Sequence, residues 1–205
     1  VLFQSETGTG KTFAYLLPLI NKLETLSDNQ RVRIIVVAPT FELASQINTA
    51  CKSITKHKSA LLIGGAPLKR QMEVLKEKPE IIIGTAARLV ELIRLKKLKT
   101  DGIFAIVFDE TDRLVKKEAV EDTSALRDLM PGGTQIVACT ATISRQTKIF
   151  FADAKNIVMP AEDVLKKRIT HWAIYAETRD KIDTLRKLLA AEKPAKALVF
   201  TSRAD

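Results

Sequence analysis

Along this chain, short continuous apolar runs alternate with longer segments in which apolar residues recur at helical spacing. Short runs rich in Val and Ile, typical of strands buried on both faces of a parallel sheet, recur between longer segments with charged flanks. The short runs predict strands at Ile34–Val37, Ala60–Ile63, Ile81–Ile83, Ala105–Phe108, Gln135–Ala138 and Ile157–Met159. The longer segments have helical spacing and predict helices at Phe41–Ile54, Leu68–Lys76, Ala86–Leu95 and Ser144–Phe151. Strands and helices in alternation indicate a doubly wound α/β domain.

The α/β pattern breaks at Pro160 and the polar, basic residues that follow it. We expect residues 1–160 to form a first domain whose N-terminal part is missing, and residues 161–168 to form an exposed linker. A second pattern then begins, with predicted strands at Ile169–Tyr175 and Ala197–Phe200 on either side of a helix at Thr178–Ala190. Residues 169–205 are therefore expected to be the start of a second, truncated domain.

Composition narrows the class of protein. No apolar run approaches the roughly 18 to 20 residues that a membrane-spanning helix needs, and the first residues lack the layout of a secretory signal. We therefore expect a soluble protein without a membrane partner, located in the cytoplasm or, in a eukaryote, in the nucleus. Cys51 and Cys139 lack disulfide or zinc spacing, which indicates buried, reduced thiols. The net charge of +9 favours a polyanionic partner.

A glycine-rich turn near the start of the chain fits the phosphate loop of nucleotide-binding proteins. Its glycines let successive backbone N–H groups point at a phosphate, and the helix that begins near Lys11 adds its positive end. Lys11 is expected to neutralise the β and γ oxygens of the nucleotide, and the Thr12 hydroxyl to ligate Mg²⁺. The predicted nucleotide-binding residues are Ser5, Glu6, Thr7, Gly8, Thr9, Gly10, Lys11 and Thr12, with Ser5 where the general pattern has glycine.

A carboxylate pair directly follows the apolar run Ile103–Phe108. Ligands of doubly wound sheets bind at the carboxyl ends of the strands, so Asp109 and Glu110 are expected in the same site as the phosphate loop. Asp109 is predicted to hold Mg²⁺, directly or through water, and Glu110 to orient and deprotonate the attacking water. Together with Lys11, these two residues form the predicted catalytic set.

These segments resemble those of the DEAD-box RNA helicases. Asp109-Glu110-Thr111-Asp112 is similar to the Asp-Glu-Ala-Asp signature of that family, with Thr111 in place of alanine. Five further segments resemble the family in the same order: Ser5–Thr12, Ala38–Ala44, Gly64-Gly65, Thr85–Arg88 and Thr140–Thr142. The resemblance implies a RecA-like P-loop domain with a mostly parallel sheet between helices, followed by the beginning of a second RecA-like domain. It also implies ATP and Mg²⁺ as ligands.

In that family, three of these segments bind the sugar-phosphate backbone of single-stranded RNA. The resemblance implies RNA-binding roles for Pro39, Thr40, Phe41, Gly64, Gly65, Thr85 and Arg88. Two departures bear on RNA affinity, because Phe41 stands where the family has arginine and Ala86-Ala87 stands where it has Pro-Gly. Phe41 either packs in the core beneath its helix or alters the RNA surface, and the sequence leaves both possibilities open.

The segment after the strand Gln135–Ala138 has two interpretations. The resemblance implies that Asp112, Thr140 and Thr142 couple hydrolysis to strand separation, with a threonine hydroxyl bonded to Asp112 or its neighbours. The alternative is that the threonine segment caps the helix Ser144–Phe151, and both roles can hold together.

The remaining basic and aromatic groups have less specific interpretations. The runs Arg94–Lys99 and Lys166–Arg168 are consistent with a solvated surface or with the steering of RNA. His171 and Trp172 are expected to pack in the core of the second domain, and the alternative is that they stack on bases.

The resulting hypothesis is an ATP-dependent RNA helicase that acts as a monomer on single-stranded or partly duplex RNA. By the resemblance, a glutamine segment that recognises adenine would precede Val1, and an arginine finger would follow Asp205. This chain alone is therefore expected to bind nucleotide but to hydrolyse it slowly. Two alternatives stay open: a nucleotide-dependent RNA clamp without productive unwinding, and a DNA helicase on the same fold.

Overall fold

The computed structural model describes residues 1–5, 8–26, 31–159, 170 and 172–201. The chain separates into two compact units, residues 1–161 and residues 162–205, and each is described by itself. Within the described residues, no helix is both long enough and apolar enough to cross a membrane.

The first unit is built around a parallel sheet of seven strands. In chain order these are β1 (Leu2–Gln4), β2 (Ile34–Val37), β3 (Ser59–Leu62), β4 (Ile81–Gly84), β5 (Ala105–Phe108), β6 (Gln135–Thr140) and β7 (Asn156–Val158). Their order across the sheet is β3-β4-β2-β5-β6-β1-β7, and every pairing is parallel. Parallel neighbours need crossover connections, which the helices of this unit supply.

Helices cover both faces of the sheet. They are α1 (Lys11–Glu24), α2 (Phe41–Ile54), α3 (Leu68–Lys76), α4 (Ala86–Arg94), α5 (Thr111–Leu114), α6 (Val120–Asp128) and α7 (Arg145–Phe150). Successive residues of β2 point to opposite faces, as the pleat of a strand requires. Ile34 and Val36 belong to the apolar cluster that contains α1 and α2, whereas Ile35 and Val37 belong to the cluster that contains α4 and α6. The central strands are therefore apolar at every position.

The predicted α/β fold is confirmed, with corrections at the level of single elements. Strands β2 and β5 and helices α2 and α3 have their predicted bounds. Strand β6 continues two residues past the predicted Ala138, to Thr140, and these residues are buried. Ser144 is the N-cap of α7 and not its first residue. Helices α5 and α6 were not predicted, because α5 has four residues and α6 buries only two, Thr123 and Leu126.

The second unit contains a short 3₁₀ turn at Thr178–Asp180 and helix α8 (Lys181–Glu192), where the sequence predicts a helix. The strands predicted at Ile169–Tyr175 and Ala197–Phe200 are wrong over the residues described there, which contain no strand. A strand requires a neighbouring strand to pair its backbone groups, and the described part of this unit holds none.

Two further predictions concern the same part of the chain. Trp172 is 68% exposed, so its predicted place in the core is wrong. The predicted linker 161–168, with its basic run at Lys166–Arg168, and His171 lie outside the described residues.

Candidate functional site

Two groups of loops lie along the edge where the parallel strands end. The loops after β1, β5 and β6 are neighbours, as are the loops after β2, β3 and β4, because the strand order places each set side by side. The first group surrounds a cleft of about 590 Å³ that we call the phosphate cleft, lined in part by Gly8, Gly10, Lys11, Thr12, Asp109 and Glu110. We call the second group, residues 38–41, 63–66 and 85–88, the outer edge.

The backbone of the phosphate cleft depends on two glycines. Gly8 and Gly10 have φ angles of 83° and 85°, the left-handed region in which a Cβ would be strained. Helix α1 begins at Lys11 immediately after Gly10, and no side chain caps it. The N–H groups of a helix's first turn lack partners within the helix and carry its positive dipole end. The turn therefore presents backbone donors to the cleft, as an anion site requires.

Side chains of the same loop bond to one another. The Lys11 ammonium donates to the backbone carbonyl of Ser5 at 2.8 Å, across the loop. The hydroxyl oxygens of Ser5 and Thr9 lie 2.6 Å apart, so one donates to the other. Ser5 thus ties the loop together from the position where the general pattern has glycine. Glu6 and Thr7, two of the predicted nucleotide-binding residues, lie outside the described residues.

Asp109 forms the floor of the cleft at the end of β5. The residue is only 3% exposed. Its Oδ2 accepts a hydrogen bond from the Tyr15 hydroxyl at 2.9 Å, and its Oδ1 accepts one from the backbone N–H of Glu110 at 2.9 Å. Burial raises the pKa of the Asp109 carboxyl, and these two hydrogen bonds and the positive charge of Lys11 oppose that rise. Burial also raises the pKa of Tyr15, so its hydroxyl remains the donor.

Glu110 has an unusual backbone conformation beside this carboxylate. Its φ angle of 50° places a non-glycine residue in the left-handed region, which costs of order 1–3 kcal/mol. The Glu110 carboxylate, which is partly exposed, forms an ion pair with Arg113 at 2.9 Å. Such local strain is common where a side chain must be directed into a site. The turn from β5 to α5 thus brings the Glu110 side chain to the lining of the cleft.

The oxygen atoms around the cleft suit Mg²⁺. The Thr12 hydroxyl and the Asp109 carboxylate both line it, and Mg²⁺ prefers oxygen ligands. Within the described residues there is no group of three or more His, Cys, Asp or Glu side chains that could hold a metal ion. In the usual Mg²⁺ site of a nucleotide enzyme, one or two protein oxygens share the ion with phosphate and water.

The end of β6 is linked to the loop that carries Asp112. The Thr140 hydroxyl lies 2.9 Å from Asp112 Oδ1 and 2.8 Å from the backbone carbonyl of Thr142, and it can donate to either. It also accepts a hydrogen bond from the Thr142 backbone N–H at 3.2 Å. The alternative that the threonine segment caps α7 is wrong, because the Ser144 hydroxyl accepts from Thr147 N–H. The contact is therefore available for the coupling role, which stays a prediction.

Thr40 and Phe41 lie at the start of α2 on the outer edge. The Thr40 hydroxyl accepts a hydrogen bond from the Leu43 backbone N–H at 3.3 Å and caps the helix. Phe41, the first residue of α2, is 50% exposed. The possibility that Phe41 packs in the core is therefore wrong, and an apolar ring lies on the surface of this edge.

The glycine doublet lies beside the start of α4 on the same edge. Gly64 and Gly65 are exposed, and Gly65 has a φ angle of 79°. The Gly64 backbone N–H donates to the Thr85 hydroxyl at 3.4 Å. Helix α4 begins at Ala86 directly after Thr85, so Ala86 and Ala87, which stand where the family has Pro-Gly, are its first two residues.

Comparisons with known proteins identify the family. Residues 1–150 match the family model described as DEAD/DEAH box helicase. The chain belongs to this family. It is 38% identical over 200 residues to the DEAD-box ATP-dependent RNA helicase CshC of Bacillus cereus, a match that covers 92% of this chain and 50% of that protein. It is 33% identical over 207 residues to CshA of Bacillus cereus, covering 98% of this chain and 39% of the relative.

A solved DEAD box protein has the same fold. The crystal structure of a DEAD box protein from the hyperthermophile Methanococcus jannaschii superposes with a TM-score of 0.69 and 24% identity, over 92% of this chain and 52% of that one. The chain therefore spans half or less of the length of the two curated relatives, and about half of the solved chain.

Two residues that contact these segments, Tyr15 and Gln71, were not predicted from the sequence. Tyr15 lies one helical turn after Lys11 on α1, and its burial is evident only once the sheet is formed. Gln71 is the buried residue of α3, where it occupies the apolar face formed by Leu68, Met72 and Leu75. A polar residue at an apolar position of a helix is a signal that the sequence does contain.

Proposed function

We propose that the full-length protein is an ATP-dependent RNA helicase, which couples ATP binding and hydrolysis to RNA binding and local separation of short duplexes. The observation that carries the proposal is the convergence of Lys11, Thr12, Asp109 and Glu110 on one cleft. A phosphate-binding turn, a metal-binding oxygen pair and a candidate base are the parts that phosphoryl transfer to water needs. The relatives CshC and CshA are named as ATP-dependent RNA helicases, which supports RNA as the polymer bound beside this cleft.

The phosphate loop would bind the β- and γ-phosphates of ATP. Successive backbone N–H groups between Gly8 and Lys11 would donate to phosphate oxygens, and the Lys11 ammonium would neutralise part of their charge. Lys11 now donates to the Ser5 carbonyl at 2.8 Å, so a bound nucleotide would compete with that contact. The exposed positions of Gly8, Thr9 and Gly10 allow a ligand to approach the backbone closely.

Thr12 and Asp109 would hold Mg²⁺ at the floor of the cleft. The ion held by these two residues would supply positive charge against the negative charge that develops on the phosphates. Asp109 keeps a fixed orientation because Tyr15 and the Glu110 N–H each donate to one of its two oxygens. Each carboxylate oxygen has a second lone pair, which leaves it able to accept from a metal-bound water.

Glu110 would act as the general base. Its carboxylate lines the cleft, and the ion pair with Arg113 at 2.9 Å restricts its orientation. A carboxylate so placed would accept a proton of the water that attacks the γ-phosphorus, while the bond from that phosphorus to the β–γ bridging oxygen breaks and the nucleoside diphosphate leaves. General-base catalysis of this kind contributes on the order of 10² to 10⁴ in rate.

Asp112 and Thr140 would couple the cleft to the rest of the protein. Asp112 follows the catalytic Glu110 by two residues, and its bond to Thr140 joins α5 to the end of β6. A change in the position of the β5–α5 turn would therefore be transmitted to the segment that ends at Thr142. The second unit, residues 162–205, is proposed to be the start of the second domain, which would respond to this change in the β5–α5 turn.

The outer edge would bind the sugar-phosphate backbone of RNA. Thr40 caps α2, and the exposed Gly64 and Gly65 offer backbone groups without a side chain in the way. Contacts of this kind hold phosphate and sugar without reading bases. The outer edge and the phosphate cleft are neighbours on one sheet, which supports communication between the two ligands.

A strand-displacement assay tests the proposal on the full-length protein. We expect ATP-dependent release of a labelled strand from a short RNA duplex with a single-stranded overhang, and less release from the equivalent DNA duplex. Equal activity on DNA would favour a DNA helicase on this fold. ATP hydrolysis without displacement of either duplex would contradict unwinding.

A nucleotide-dependent RNA clamp is the second candidate. The exposed Phe41 favours it, because an apolar ring on the outer edge replaces the arginine of the family and offers a surface for stacking instead of a phosphate contact. Persistent RNA binding together with slow hydrolysis and no strand release would identify the clamp.

A further inference from the structure

The backbone from Ile63 to Ala66, which we call the glycine loop, is held by three side chains from other elements. Gln71 comes from α3, while Thr85 and Arg88 come from the start of α4. Together these contacts engage the backbone of Ile63, Gly64 and Ala66.

Gln71 bonds to the glycine loop through both ends of its amide. Its Nε2 donates to the Ile63 carbonyl at 2.8 Å and to the Ala66 carbonyl at 3.5 Å, and its Oε1 accepts from the Ile63 N–H at 3.2 Å. The residue is only 4% exposed. A buried amide that bonds both donor and acceptor of one backbone unit acts as a clamp on that unit.

The Arg88 side chain is also directed towards other residues of this chain and is largely buried. Its Nη1 donates to the Ala66 carbonyl at 3.1 Å, and its Nε forms an ion pair with Glu91 at 2.9 Å. Its side chain is only 11% exposed. The guanidinium thus has one hydrogen bond and one ion pair within this chain, although the Nε–H itself makes no hydrogen bond, and its burial leaves little of its surface for a phosphate.

The glycine loop needs such support because its two glycines have no side chains that could anchor it. Gly64 and Gly65 are exposed, and a Cβ at either position would meet no atom within 4 Å. Gly65 has the positive φ angle of 79°, which glycine adopts as one of many accessible conformations. A segment with so much freedom binds a ligand weakly unless its conformation is set in advance.

We propose that Gln71 and Arg88 are positioning residues, which hold the glycine loop in the conformation that receives an RNA backbone. Arg88 acts through Ala66 and is not itself a phosphate ligand. The inference rests on the proposed RNA binding by the outer edge, and it assigns to Gln71 a function that the sequence segments did not suggest.

The salt dependence of RNA binding separates positioning from phosphate contact. A side chain that neutralises a phosphate of a single strand contributes about 0.7 to the slope of log K against log salt concentration, whereas a positioning residue contributes nothing to that slope. The measurement uses fluorescence anisotropy of a labelled oligouridylate of about ten nucleotides with the full-length protein and a non-hydrolysable ATP analogue, between about 50 and 200 mM salt.

We expect Gln71→Leu and Arg88→Met each to weaken RNA binding by about 3- to 10-fold, the effect of losing between one and three hydrogen bonds, with the slope unchanged. Because both act on one loop, the double variant should lose less than the product of the two single effects. Gln135→Leu, the same change at an exposed position at the start of β6, should bind as the unsubstituted protein does.

Three results would overturn the inference. A slope reduced by about 0.7 in Arg88→Met would make Arg88 a phosphate ligand. Wild-type affinity in Gln71→Leu would remove its positioning role, and fully multiplicative losses in the double variant would mean that the two residues act independently. If Gln71→Leu does not fold, Gln71→Glu replaces it, since it keeps the shape and the acceptor but loses the two donated bonds.

RNA binding by the unsubstituted protein distinguishes a wrong positioning role from a wrong proposed function. If the unsubstituted protein bound no oligouridylate, RNA binding itself would be wrong, and the positioning role would fall with it. If the unsubstituted protein bound RNA and the variants bound equally well, only the positioning role would be wrong.

Discussion

Asp109 illustrates how single residues maintain a charged site inside the fold. Burial favours the neutral acid, whereas the Tyr15 hydroxyl, the Glu110 N–H and the charge of Lys11 favour the carboxylate. A hydrogen bond to a charged group is worth about 1.5–3 kcal/mol, and an unpartnered buried group costs a comparable amount. Tyr15, which lies outside the recognisable segments, therefore supports the cleft through its hydrogen bond to Asp109.

Replacing Tyr15 by phenylalanine tests this contact. The change should lower the free energy of unfolding by about 1–3 kcal/mol, because Asp109 Oδ2 loses its donor while remaining buried. Urea unfolding at neutral pH, followed by circular dichroism, measures the effect. Tyr175→Phe is the matched control, since Tyr175 is 92% exposed and its change should fall within about 0.5 kcal/mol of zero. Equal effects of the two changes would show that the hydroxyl of Tyr15 contributes nothing.

Replacing Phe41 by arginine tests the outer edge at the scale of one side chain. Phe41 is exposed at the first position of α2, so an arginine there can reach an RNA phosphate without disturbing the core. The variant should bind single-stranded RNA with a salt slope steeper by about 0.7. Leu17→Arg, at an exposed position of α1, adds the same charge elsewhere and should steepen the slope less. An unchanged slope in Phe41→Arg would place RNA away from this residue.

Among the elements, the strength of the apolar pattern decides what could be predicted. Strands β2 and β5 are buried at every position, and α2 has a clear apolar stripe, so their bounds follow from the sequence. Helix α6 buries only Thr123 and Leu126 and gives no such pattern. The strand expected at Ala197–Phe200 has the right composition, but composition does not provide the partner that a strand must pair with.

The end of β4 lies so close to β3 that only glycine fits at position 84, a constraint that the apolar pattern does not reveal. A Cβ at Gly84 would overlap the backbone carbonyl oxygen of Leu62 in the neighbouring strand. Gly84→Ala should therefore destabilise the protein by about 1–3 kcal/mol, because β3 and β4 must move apart. Gly132→Ala is the control, since a Cβ there meets nothing within 4 Å, and it should be neutral or stabilising by up to about 1 kcal/mol. The midpoints of urea unfolding compare the two, and similar values would contradict the close approach.

At the scale of the first unit, strand order separates the phosphate cleft from the outer edge. The rule that ligands bind at the carboxyl ends of parallel strands brings Lys11 and Asp109 together from the sequence alone. The separation of the phosphate cleft from the outer edge depends on the order β3-β4-β2-β5-β6-β1-β7, which apolar periodicity does not encode. For the same reason the bond between Thr140 and Asp112 was only one of several contacts open to that segment.

The packed interior of this unit should protect its thiols. Cys51 and Cys139 are free and buried, as the sequence predicts. Burial raises the pKa of Cys51 to about 11, and it raises the pKa of Cys139 further. At pH 8 about one Cys51 thiol in a thousand would be ionised, and the thiolate is the reactive form. A thiol-specific chromogenic disulfide should therefore react with neither cysteine before unfolding and with both in denaturant. Rapid reaction of either thiol in the folded protein would contradict this packing.

ATP hydrolysis by the full-length protein, measured with and without single-stranded RNA and compared with the Glu110→Gln variant, tests whether this protein is an RNA-dependent ATPase. We expect RNA to raise the rate of the unsubstituted protein. We expect Glu110→Gln to lower that rate by about 10² to 10⁴ while ATP still binds, since only the proton acceptor is lost. Turnover by Glu110→Gln at the unsubstituted rate, or hydrolysis that RNA does not raise, would show that the proposed function is wrong.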